Sequence, residues 1–156
     1  MEEGRVYSNH KSLISLSRIT PVALVVGAAG FLGSHLSEKL LDKHIQVVGV
    51  DDFSGGKRDY LENAVRSKNF HLINSSAEKI QIDLPRLDYL IIVAEGGWNL
   101  TSLLHLLKDL KPKIVFVSSI DLYNRKIDFS LRWFKEAEIS LAKFADEHHL
   151  NARVVR

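Results

Sequence analysis

"VALVVGAAGFLGSHLSEKLL", residues Val22–Leu41, passes from a β-branched apolar run through three glycines into an amphipathic segment. The run Val22–Val26 is continuous rather than alternating, the pattern of a strand covered on both faces, as in a parallel sheet. Beyond the glycines, Leu32, Leu36, Leu40 and Leu41 recur at helical spacing, with Ser34, Glu38, Lys39 and Lys43 falling elsewhere, so a helix lays one apolar stripe on that sheet. Gly27, Gly30 and Gly33 form a G-x-x-G-x-x-G turn between strand and helix. Gly27 permits a tight exit from the strand, Gly30 lets a pyrophosphate approach the backbone, and Gly33 lets the helix pack closely. Free amides at the helix start then face the anion. Packing alone would account for Gly33 but accounts less well for Gly27 and Gly30.

The next apolar run, "IQVVGV", stops at Asp51, 18 residues after Gly33. A carboxylate at the end of a second strand can accept hydrogen bonds from an adenosine ribose, and it repels a 2′-phosphate, so the cofactor expected is NAD rather than NADP. The alternative for Asp51 is a solvated turn acid, which is how Asp52 beside it reads. Downstream, "DYLENAVRS" forms a short helix, "FHLI" a strand, "DYLIIVA" a strand and "LTSLLHLLKDL" a helix. "KIVFVSS" is a strand, "SLRWFKEAEISLAKFADEHHL" a long helix and "ARVVR" a last strand. Strands alternating with helices predict an α/β, doubly wound (Rossmann) fold with a mostly parallel six-stranded sheet in the order 3-2-1-4-5-6. Its ligand crevice opens where the winding reverses, beside the glycines. Residues 1–20 lack a sustained period and read as a flexible N-terminal arm; 21–156 read as one dinucleotide-binding domain.

Composition narrows the function. Twenty-one Lys and Arg against nineteen Asp and Glu leave +2, which gives no electrostatic reason to expect nucleic acid or an anionic membrane as partner. The chain has no cysteine, so thiolate chemistry is excluded, and a reducing cytoplasm is compatible. "MEEGRVYSNHK" carries acids where a secretory signal carries bases, and no apolar run approaches the ~20 residues that span a bilayer. A cytoplasmic protein is expected. Seven histidines do not make a metal site: no H-E-x-x-H pair occurs, and adjacent His148 and His149 diverge by about 100° on a helix, reading as surface residues near its end. Ser118 and Ser119 lack the G-x-S-x-G elbow of a hydrolase.

"VVGAAGFLGSHLSEKLL" together with "VVGVDDFSGGKRDYLEN" resembles the extended short-chain dehydrogenase/reductase family, which includes NAD-dependent nucleotide-sugar epimerases and dehydratases. Weaker likeness runs through "DYLIIVA", "KIVFVSSIDLY" and the last helix and strand. The resemblance implies that Gly27, Gly30, Phe31, Leu32 and Gly33 line the pyrophosphate. It places Asp51, Asp52 and Phe53 at the adenosine ribose, Gly55 and Gly56 in the adjoining turn, and Ala94 beside the cofactor. Where the family has an aspartate for the adenine amine, this chain offers Ser76 or Ser75. The family's catalytic Ser or Thr maps onto Ser119 and its lysine onto Lys135, which would also hold a ribose, but the tyrosine position is Leu131.

Leucine has no transferable proton, so the acid–base step the family relies on is expected to be degenerate or absent, a loss of ~10²–10⁴ in rate. Tyr123 is the one nearby phenol that could stand in, and Asp121 occupies a position where some dehydratases carry an acid, next to Ile120 where they carry another. Trp98, beside Gly96 and Gly97, reads as core filling, with stacking on the cofactor as its alternative. The family's nucleotide-sugar region would follow Arg156, so this chain is expected to be the cofactor half of such an enzyme or a minimal version of it. Two alternatives stay open: an active epimerase, dehydratase or reductase completed by further residues or another chain, and a non-catalytic interaction module, with a homo-oligomer compatible with either.

Overall fold

The computed structural model describes residues 6–7, 16, 19–94, 96, 98–123 and 129–156. Seven strands form one parallel sheet: β1 (Val6–Tyr7), β2 (Val22–Val26), β3 (Gln46–Asp51), β4 (Phe70–Asn74), β5 (Tyr89–Ile92), β6 (Lys113–Val117) and β7 (Ala152–Val155). Their order is β1-β4-β3-β2-β5-β6-β7. The six strands expected from the sequence stand in the expected 3-2-1-4-5-6 order, and two-residue β1 extends the edge beside β4, pairing Val6 with Leu72 and Tyr7 with Ile73. The remainder of the expected arm falls almost wholly outside the described residues.

Central position explains the continuous apolar runs. All of β2 and all of β3 are buried, while β7 at the far edge alternates half-buried and exposed. Successive side chains on β2 enter different cores: Val22, Leu24 and Val26 join one, Val25 the other. Helix α1 (Phe31–Asp42) covers the Val25 face with Leu36, Leu40 and Leu41. The opposite face is covered by α2 (Leu100–Leu107), through Leu100, Leu103, Leu104 and Leu107, and by α3 (Phe129–His148), through Ala137, Leu141 and Phe144. Layers on both faces make the sheet doubly wound about β2, and the switch from β3 to β5 on either side of β2 leaves the crevice at its carboxyl end.

One connection departs from the expected pattern. "DYLENAVRS" makes two 3₁₀ turns, Arg58–Leu61 and Ala64–Arg66, in place of a helix, with Leu61 and Ala64 buried against the α1 side. Val65 is β-branched and only seven residues separate Arg58 from Arg66, too few for a stable α-helix of its own. Between β4 and β5 the chain recrosses β2 without a helix or strand, anchored by buried Ala77, Ile80, Leu84 and Leu87. At the amino ends of the strands, Asp88 ties three of them: its carboxylate accepts the Val22 amide at 2.8 Å, its own amide reaches the Val22 carbonyl, and its carbonyl accepts from Lys113. Burial works to raise that carboxyl, but Arg86 and the Val22 amide outweigh it and hold it below the usual range.

Candidate cofactor site

The glycine turn is built from its own backbone. Gly27 adopts φ +85°, and a Cβ there would lie 2.8 Å from the Ala94 nitrogen, so β-carbon sterics exclude other residues twice over. The amides of Gly27 and Ala28 both donate to the Val50 carbonyl, at 2.8 and 3.2 Å, and that of Gly30 to Gly27 at 3.2 Å. A Cβ on Gly33 would stand 2.0 Å from the Gly27 carbonyl oxygen, which brings α1 against the turn. Gly30 is different: its nearest protein atom to such a Cβ is the Gly27 carbonyl oxygen at 3.3 Å, a tight contact a small shift relieves. The fold demands glycine at 27 and 33, whereas at position 30 it opposes a side chain with a single atom.

Gly30 is the N-cap of α1 and offers no side chain to cap it. Ser34 closes the first helical bond to the Gly30 carbonyl at 3.0 Å, and among the described residues nothing accepts from the amides of Phe31, Leu32 or Gly33. No acid stands in that first turn. By contrast α2 caps itself, with Asn99 accepting from the Thr101 amide at 3.0 Å. Unpaired amides at the positive end of a helix can hold an anion. Phe31 and Leu32 carry their side chains into solvent, Phe31 resting on His35 with ring centroids 4.7 Å apart.

Asp51, at the end of β3, turns its carboxylate onto this turn. One oxygen accepts the Ala29 amide at 2.8 Å and the other the Phe53 amide at 2.8 Å, in a side chain only 9% exposed. Sequence reading passed over Ala29, whose role is purely main-chain: its carbonyl accepts from Lys57 at 2.9 Å, and a Cβ on Gly56 would meet its methyl at 2.7 Å. Phe53 sits at φ 61° with the Arg58 guanidinium 4.3 Å above its ring, whereas Gly55 faces open space. Asp52 is exposed and accepts from the Ser54 hydroxyl at 2.6 Å and amide at 2.9 Å, bonds that hold its carboxyl below the usual range. Beyond β4 the Ser75 amide donates to the Asp51 carbonyl at 3.2 Å, and next to it the Ser76 hydroxyl is buried with no partner among the described residues. The structure thus gathers Gly27, Gly30, Phe31, Leu32, Gly33, Asp51, Phe53, Gly56 and Ala94 about one turn, with Ser76 alongside.

The proposed catalytic end is looser. Ser119 follows β6 half-buried, Leu131 is half-buried on α3, and Lys135, one turn on, is exposed. Side chains of Asp121 and Tyr123, and residues 124–128 leading to α3, lie outside the described residues. Trp133, not singled out from sequence, donates its indole N–H to the Trp98 carbonyl at 2.8 Å and packs on Trp98, Phe116 and Phe134. Trp98 is therefore half-buried at the edge of the core, with Gly96 against Trp133. Gly97 lies outside the described residues. His148 leans on Phe144, ring centroids 4.2 Å apart, and is half-buried rather than a surface residue; His149 is exposed. Among the described residues no three His, Asp or Glu side chains gather to hold a metal ion, and no helix is long and apolar enough to cross a membrane.

A parallel doubly wound sheet with a glycine turn at its switch point, and an acid ending the next strand, defines a Rossmann-type α/β domain. The model of the NAD dependent epimerase/dehydratase family matches residues 23–102, half of the chain, and the chain belongs to that family. It is 48% identical over 59 residues to the uncharacterized UDP-glucose epimerase YtcB of Bacillus subtilis (strain 168), a match covering 34% of this chain and 19% of that protein. To UDP-glucuronic acid decarboxylase 1 of Danio rerio it is 37% identical over 68 residues, 43% of this chain and 16% of that one. Among solved structures, the UDP-glucose 4-epimerase of Thermotoga maritima with UDP-glucose superposes with TM-score 0.71 at 21% identity, over 86% of this chain and 54% of that one. The dTDP-glucose 4,6-dehydratase of Bacillus anthracis str. Ames in complex with NAD gives TM-score 0.73 at 14% identity, over 86% and 53%. At these identities the superpositions establish the fold, and the chain spans about half the length of the solved chains it matches.

Proposed function

We propose that this chain binds NAD in the crevice beside β2 and does not itself carry out the proton transfer that nucleotide-sugar epimerization or dehydration requires. The observation that carries the reading is the first turn of α1: amides of Phe31, Leu32 and Gly33 without an acceptor among the described residues, beside a glycine that its own surroundings barely require. The residues present fit the cofactor. Those amides would take the diphosphate, Gly30 would let it approach, and Asp51, whose two oxygens each keep a lone pair beyond the bonds already made, would accept from the adenosine ribose. Phe53, Asp52, Gly55 and Gly56 would border that ribose, the Ser76 hydroxyl, without a partner among the described residues, would meet the adenine, and Ala94 would flank the cofactor. Bound NAD supplies a hydride acceptor. Ser119 and Lys135 keep the family's polar groups, but Leu131 can neither give nor take a proton.

Calorimetric titration tests the reading. NAD is expected to bind, and NADP to bind at least about tenfold more weakly because its 2′-phosphate meets the Asp51 charge. Absence of binding by either at millimolar concentration would remove the cofactor claim. A nucleotide sugar with NAD is expected to give no change in nicotinamide absorbance. Turnover by the unmodified chain would overturn the second half of the reading, that the chain does not carry out the proton transfer.

A further inference from the structure

We propose that Asp51 is a positioning residue for the diphosphate turn as well as an acceptor for ribose, so that the turn holds its shape only while this carboxylate is in place. The inference rests on the cofactor reading above and deepens it. Ala29 is the residue just before the N-cap of α1, and the segment after β3 clasps it from both sides. Its amide goes to one Asp51 oxygen at 2.8 Å, and its carbonyl takes the Lys57 amide at 2.9 Å. Gly56 closes the clasp, since a Cβ there would press within 2.7 Å of the Ala29 methyl and 2.9 Å of its carbonyl carbon. The second Asp51 oxygen fixes the left-handed Phe53 from which that segment departs. One carboxylate therefore sets the position of Ala29 and the direction of the loop that grips it. Whatever orients Ala29 orients Gly30 and the amides of Phe31, Leu32 and Gly33 that follow.

A role confined to ribose and a role in positioning predict different outcomes for a ligand without ribose hydroxyls. If Asp51 only accepts from ribose, its loss leaves such a ligand unaffected. Removal of a negative charge near a diphosphate should even tighten binding. If Asp51 positions the turn, its loss weakens that ligand too.

The probes are ADP and 2′,3′-dideoxy-ADP, titrated into the full chain and into Asp51→Asn, which keeps size while replacing one charged acceptor by a donor. The expected result is a loss of about tenfold for 2′,3′-dideoxy-ADP, the scale of one hydrogen bond to a charged group, and a larger loss for ADP, which also loses its ribose acceptor. It should come with faster hydrogen exchange at the Ala29 and Phe53 amides. Unchanged or tighter dideoxy-ADP binding by a folded Asp51→Asn protein, with ADP weakened, overturns the positioning role while leaving the cofactor reading intact. Failure of the unmodified chain to bind either probe or NAD overturns both. Should Asp51→Asn not fold, Gly56→Ala decides: it breaks the clasp from the other side without touching the carboxylate. It too should weaken dideoxy-ADP about tenfold, and undiminished binding would sink the proposal.

Discussion

Gly30 and Gly33 carry the same side chain for opposite reasons, and substitution separates them. A methyl on Gly33 would have to occupy a point 2.0 Å from the Gly27 carbonyl oxygen, an atom of a turn whose amides are committed to Val50, so the helix itself must move. Gly33→Ala should cost about 2–4 kcal/mol in denaturant unfolding, as overpacking against backbone does. Gly30 meets only one atom, at 3.3 Å, and sits at φ −74°, open to any residue. Gly30→Ala should change stability by less than about 1 kcal/mol while, on the proposed cofactor reading, weakening NAD at least about tenfold by crowding the proposed diphosphate site. A Gly30→Ala protein that binds NAD normally would contradict the assignment of that space to a ligand.

At the scale of elements, the helix and turn ends are closed by unusual residues. Helix α1 stops at Lys43 and is followed by His44 at φ 58°, whose amide donates to the Leu41 carbonyl at 2.9 Å; α3 is followed by His149 at φ 53°. The turn after α2 ends in Lys111 at φ 49°, just before Pro112. Glycine is the usual residue there because a Cβ is strained in the left-handed region. His44→Gly should therefore raise stability by about 0.5–1 kcal/mol, seen as a melting temperature higher by a few degrees. The same ends show what sequence could and could not reveal. Strands β2 and β3 and the stripes of α1 and α2 were legible because burial on both faces forces continuous apolar runs and burial on one forces helical spacing. The 3₁₀ turns at 58–66 were not, since a few apolar residues in a short segment fit either helix type. Asp51 was visible as a carboxylate in the right place, but its grip on Ala29 was not: main-chain hydrogen bonds leave no mark on the identity of an alanine.

Across the whole molecule, acid should lower the stability of the chain in two separable pH ranges. His71 lies in β4, paired between β3 and the edge, with its Nε2 buried and without a partner among the described residues. Burial pushes its pKa below the ordinary histidine value, so the folded chain holds it neutral where the unfolded chain would protonate it. The unfolded state then binds more protons as pH falls below about 6.5, and stability declines from there until the folded-state value is passed; above 6.5 this group contributes no slope. Asp88, Asp52 and Glu138 are also shifted downward, but through the lower, carboxylate range. For Glu138, burial opposes but the hydrogen bonds and charge of Arg156 prevail. Their stabilisation is complete above the carboxylate range near pH 4 and is lost as pH falls through their depressed folded values. Melting temperature measured from pH 8 to 3 should fall first below about 6.5 and again below about 4. In His71→Phe the upper step should shrink while the lower one stays. An unchanged upper step would assign it to other histidines and show that His71 finds a proton acceptor in solution.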